Sequence, residues 1–78
     1  MKDGTRLHQM TPEQSKAGRA LLGMSQQDLA EAAEVAKATI ANFETGKRTP
    51  YKRTLDALQA ALEARGVMFT PDGVQRHG

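Results

Sequence analysis

Between Ser25 and Gly46 the apolar positions fall at Leu29, Ala30, Ala33, Val35, Ile40 and Phe43. Apolar residues three or four apart mark one face of a helix. The pattern predicts a helix from Gln26 to Ala33 and another from Lys37 to Thr45. Glu34 and Val35 fall in a tight turn between them. Ala30 sits where crossing helices approach closely and only a small side chain fits. Ile40 comes ten residues later, on the inner face of the second helix. This is the spacing of a helix-turn-helix, whose second helix lies in the DNA major groove.

The flanking pattern adds two further helices. Thr11-Pro12-Glu13-Gln14 reads as a helix start: Thr11 caps, Pro12 takes the first helical position, and Gln14 completes a capping box. That helix runs to Leu22 and ends at Gly23. Its inner face is thin, with Ser15, Gly18 and Ala20 beside Leu21 and Leu22. Gly18 costs about 1 kcal/mol against alanine in mid-helix, and close helix packing is its expected reason. Ser25 caps the second helix, with Asp28 in its first turn. A fourth helix is expected over 50–65, capped by Thr49 and opened by Pro50, with Tyr51, Leu55, Leu58 and Leu62 as its inner stripe. Gly66 ends it. Val67 to Thr70 favours a strand, Pro71-Asp72-Gly73 a turn, and Val74 to Arg76 a returning strand. So small a hairpin needs a partner, either its own domain or another copy. The fold class is therefore all-α, with four to five helices and a short C-terminal strand or hairpin. The expected organisation is a flexible arm over 1–10, a helix-turn-helix domain over 11–65, and a strand and tail over 66–78.

Composition narrows the function. Seventy-eight residues make one small domain with a modest core. There is no cysteine, so neither a disulfide nor a thiolate zinc site is expected, and a reducing cytoplasm suits the chain. No apolar run approaches the length of a membrane span, and MKDGTRLHQM lacks the apolar core of a signal peptide. His8 lies in the expected arm, and no acid pair shares a concave site, so neither an enzyme nor a bound cofactor is expected. The net charge is only +2. Its distribution says more. Lys37, Lys47, Arg48, Lys52 and Arg53 lie in the second helix of the motif and just after it. Asp28, Glu31 and Glu34 gather in the helix before. A basic footprint on the groove side suits nucleic acid.

With Ile40 and Phe43 inward, the second helix exposes Lys37, Ala38, Ala41 and Asn42, and Thr39 lies at the border. Lys37 can donate to guanine O6/N7 or to phosphate, Asn42 can bridge adenine N6 and N7, and Ala38 is short enough to touch a thymine methyl. Few polar groups then read bases directly, so DNA shape contributes. Thr45, Lys47 and Arg48 are placed for phosphates, which position without reading sequence. Gln26, in the first turn of its helix, sits beside backbone N–H groups that can receive a phosphate oxygen.

Taken together, Ser25-Gln26-x-x-Leu29-Ala30, Thr39-Ile40-x-x-Phe43-Glu44-x-Gly46 and the following Arg48-Thr49-Pro50 resemble the XRE-like helix-turn-helix family of phage repressors and Cro proteins. The resemblance covers Thr11 to about Arg65. It implies a DNA-binding transcriptional regulator, in which Gln26 grips the DNA backbone and Arg19 of the first helix pairs with Glu44. Two residues depart from the family pattern. Glu34 stands where glycine is usual, at a cost of about 1 kcal/mol if φ is positive. Ala36 stands where Ser or Thr caps the recognition helix, a loss of about 1 kcal/mol. One such motif reads few base pairs, and family members dimerise on pseudo-palindromes with half-sites about 34 Å apart. The expectation is a homodimer paired through Val67, Met68 and Phe69. A repressor is favoured over an activator because no second domain is expected to bind an effector. An antitoxin-type partner or protein-interaction adaptor on the same fold, with an unknown protein partner, is the alternative.

Overall fold

A computed structural model describes residues 9–76. Its elements are α1 (Pro12–Leu22), α2 (Gln26–Ala33), α3 (Lys37–Glu44), α4 (Lys52–Glu63), β1 (Val67–Phe69) and β2 (Val74–Arg76). The expected arm up to His8 lies outside the described residues. Met10, grouped with that arm, is instead buried in the core.

The first two helices begin as their sequences dictate. Thr11 accepts from the Gln14 N–H, and Gln14 returns the bond from its side chain, with Pro12 at the first position. Ser25 and Asp28 form the same reciprocal box on α2. Gly23 ends α1 at φ 67. Glu34 ends α2 in the left-handed region at φ 59, the only non-glycine residue with positive φ among those described. Helix α3 starts at Ala36 with no side-chain cap, as its composition requires.

The fourth helix departs from expectation. It spans Lys52–Glu63, not 50–65. Thr49 does not cap it and Pro50 does not open it. Tyr51 is the N-cap, with extended backbone at φ −59 and ψ 155, so the helical turn cannot begin before Lys52. Tyr51 accordingly leaves the inner stripe and is exposed, while Leu55, Leu58 and Leu62 are buried. Helix α3 ends at Glu44, one residue short, with Thr45 as its C-cap.

Leu29, Ile40, Leu55, Leu58 and Leu62 form the centre of the core, one or more from each of α2, α3 and α4. Helix α1 reaches it through small residues. A Cβ on Gly18 would lie 3.1 Å from Leu62 Cδ1, so the glycine permits the close approach of α1 to α4. Ala20, expected on the inner face, is exposed.

The hairpin forms with Val67 opposite Arg76, Met68 opposite Gln75 and Phe69 opposite Val74. The alternation of a strand turns Val67 inward and Met68 outward. Val67 joins the core, and Phe69 and Val74 pack against it. Gln14 holds the turn in place: its Nε2 donates to the Thr70 carbonyl at 2.8 Å and the Gly73 carbonyl at 3.0 Å. The hairpin's partner is thus, at least in part, its own domain.

Candidate nucleic-acid interface

Helix α3 turns Ile40, Phe43 and Glu44 inward. Lys37 and Ala38 are exposed, and Thr39, Ala41 and Asn42 are half-buried. Two of the residues expected to stand free, Ala41 and Asn42, are therefore partly covered by the fold. The loop after α3 curls back onto it. The N–H groups of Lys47 and Arg48 both donate to the Asn42 carbonyl, at 2.9 and 3.2 Å. Their side chains are left exposed, and Arg48 lines a cleft with Thr39 of α3.

Thr45 is exposed in the same loop, but its hydroxyl donates to the carbonyls of Ala41 at 3.0 Å and Asn42 at 3.3 Å. Its proton is committed to the helix end, so in this rotamer Thr45 has none to offer a phosphate.

The Arg19–Glu44 pair implied by the family pattern is present and bidentate. Arg19 Nε donates to Glu44 Oε2 at 2.9 Å and Arg19 Nη2 to Oε1 at 2.7 Å. Two partners join it that the sequence did not disclose. Ser15 Oγ donates to Oε2, and Gln26 Nε2 donates to Oε1 at 3.0 Å. One carboxylate thereby ties α1, α2 and α3 together. Burial pushes the Glu44 carboxyl up, but the hydrogen bonds from Arg19, Ser15 and Gln26 and the Arg19 charge outweigh it, so the carboxyl lies below its ordinary range. The hydrogen bond to Glu44 raises the Arg19 guanidinium, which burial opposes. Arg19 also donates to the Met24 carbonyl at 3.0 Å, bracing the α1–α2 connection.

Gln26 is thus partly committed to Glu44. One amide hydrogen goes to Glu44, and the amide supplies a second donor and an acceptor besides. Ser15 and Arg19 were open to prediction as neighbours, since residues four apart share a helix face. Nothing in the sequence marks Gln26 as their partner.

A second family of charges completes the surface. Lys37, Lys47, Arg48, Lys52 and Arg53 are all exposed. Lys52 pairs with Asp56 at 2.9 Å. Asp28 and Glu31 are exposed on α2 and Glu34 at its end. The Asp28 carboxyl is lowered by hydrogen bonds from the Ser25 backbone and side chain. Among the described residues no group of three or more His, Asp or Glu side chains could hold a metal ion. No described helix is long and apolar enough to cross a membrane.

A helix-turn-helix family model matches residues 16–65. The chain belongs to the XRE-type helix-turn-helix family. The match begins a few residues inside α1 and ends just past α4, covering the Arg19–Glu44 pair and the whole basic surface. Members are DNA-binding transcription regulators, and this chain is one of that type. The family is one of regulation rather than catalysis. No curated protein sequence matches the chain.

Proposed function

We propose that the chain is a cytoplasmic repressor that binds a palindromic operator as a homodimer. The observation that carries the reading is the exposure of Lys37 and Ala38 at the start of α3, and of Lys47 and Arg48 in the loop whose N–H groups fold back onto Asn42 near its end. In this reading Lys37, Ala38, Thr39 and Asn42 face the major groove. Gln26, Thr45, Lys47 and Arg48 hold phosphates, Gln26 with the donor that Glu44 does not use and Thr45 after its hydroxyl turns from the helix.

The DNA-binding unit is residues 11–65, and the segment 66–78 joins two copies. Val67 is buried in its own core at 3% exposure, so the contact falls to Met68, which is 43% exposed, with Phe69 at its margin. The outer edge of β1 supports this, because β1 pairs only with β2 among the described residues.

The test is selection of bound duplexes from a random pool, followed by affinity measured over a range of salt. Lys47→Ala and Arg48→Ala should each weaken binding to all duplexes and flatten the salt slope by about one. Asn42→Ala should relax the preference at one base pair by about 1–3 kcal/mol. An unchanged salt slope for both loop variants sinks the placement of the phosphate contacts. Met68→Lys should convert a dimer to a monomer in sedimentation with unfolding unchanged. A full-length chain that is monomeric both free and on DNA removes the dimer.

A further inference from the structure

Tyr51 is the residue that neither the core nor the helix-turn-helix motif accounts for. The period of α4 would bury it, yet it is 85% exposed. Two surface clefts share Tyr51 and Thr54 in their linings. One, of 400 Å³, is lined by Thr39 of α3 together with Arg48, Pro50 and Tyr51. The other, of 550 Å³, is lined by Tyr51, Lys52, Arg53 and Thr54. Tyr51 thus lines one cleft with Arg48 and Thr39 of α3, and the other with Arg53. Lys52 is held by Asp56 at 2.9 Å, while Arg48 and Arg53, one in each cleft, are exposed.

An aromatic body with a polar tip suits a surface that is apolar at one point and charged at the next. The DNA backbone is such a surface, a sugar between two phosphates. We propose that Tyr51 is a DNA contact: its ring covers a deoxyribose and its hydroxyl donates to the adjoining phosphate, while Arg48 and Arg53 take the phosphates on either side. This rests on the DNA-binding reading of α3 and adds a positioning contact beside it. The contact carries no charge of its own, so it strengthens binding without releasing a counterion. It also fixes how α4 approaches the duplex, and through α4 the angle at which α3 enters the groove.

The chain has one tyrosine and no tryptophan, which makes the test specific. Full-length protein carrying fluorotyrosine gives a single fluorine resonance. Titrated with a selected duplex, that resonance should shift and saturate together with the anisotropy of labelled DNA. Tyr51→Phe should weaken binding about three- to tenfold, the worth of one hydrogen bond, and Tyr51→Ala more. Neither should change the salt slope, whereas Arg48→Ala should flatten it by about one. Thermal unfolding of both Tyr51 variants should match the parent. Wild-type affinity in Tyr51→Ala overturns the proposal and leaves the DNA reading standing. A Tyr51→Phe variant that binds as the parent does removes the hydroxyl contact. A resonance that moves with protein concentration and not with DNA assigns Tyr51 to a second copy and overturns it. A chain that binds no duplex, with its unfolding intact, overturns the DNA reading and this contact together.

Discussion

The two ends of α3 are built in opposite ways. At its start Ala36 gives no side-chain cap, and the turn before it holds Glu34 in the left-handed region at φ 59. At its end Glu44 accepts four side-chain hydrogen bonds from three residues on α1 and α2. Thr45 closes the last turn with its hydroxyl, and Asn42 receives the N–H groups of the following loop. The bare start is not a general weakness of the chain, since α1 and α2 both begin with complete capping boxes. Helix α3 is held from behind and left plain in front. The plain end carries Lys37 and Ala38, which are exposed.

The strongest way to break the contrast is at the anchored end. Arg19→Met leaves the Glu44 carboxylate, 2% exposed in its side chain, with only Ser15 and Gln26 as partners. Removing one member of a buried pair costs about 3–5 kcal/mol, because the other charge stays desolvated. Arg19 itself is 18% exposed, so water can reach the site and the lower end of that range is expected. Urea unfolding measures it. A loss under about 1 kcal/mol would mean that the pair contributes as little as a surface pair does.

The same carboxylate sets a pH dependence. Its folded value lies below the ordinary glutamate range. A depressed acid contributes stability that is fully present above about pH 4.5 and lost as the pH falls through the lowered value. The urea midpoint should therefore drop between neutral pH and strong acid. Glu44→Gln should lower the midpoint at neutral pH and flatten that drop. Asp28 acts with the same sign, because hydrogen bonds from Ser25 lower it too. Being exposed, it leaves only a shallow residual slope in the variant. A variant whose midpoint still falls as steeply as the parent's would place the acid sensitivity elsewhere.

These two ends also differ in how legible they are. The start of α3 can be read from a few neighbouring residues, since a cap is a local signal and Ala36 lacks the oxygen for one. The same holds for Thr11 with Gln14 and Ser25 with Asp28, whereas Glu34 stands out only against the glycine of the family pattern. Contacts at the far end join residues distant in the chain. Arg19 and Glu44 were paired only through the family pattern, and the hydrogen bonds of Ser15 and Gln26 needed the packed helices. Gln14 shows both sides: its capping bond is local and legible, its hold on Thr70 and Gly73 is not. Tyr51 was misplaced for a different reason. The apolar period of α4 runs on through it, and Pro50 resembles a helix start, but extended backbone at Tyr51 overrides both. In β1 the strand was legible. What it packs against was not, and Val67 went to its own core.

The smallest effect, and the sharpest for the contrast, comes from repairing the bare end. Ala36→Ser restores an oxygen that can accept from the first turn of α3, and should add about 1 kcal/mol. The backbone already suits it: Ala36 is extended at φ −72 and ψ 141, the conformation of a cap. Glu34→Gly relieves the left-handed strain, but glycine also gains freedom in the unfolded chain. The net is about half a kcal/mol or less in favour of folding. Both changes lie at the end of α3 that faces DNA in the proposed reading, and neither touches Glu44. If α3 is aligned from its anchored end, both variants should unfold at higher urea while selecting the same operator with the same salt slope. A stabilised Ala36→Ser protein that selects a different sequence would show instead that the front of the helix takes its angle from the missing cap.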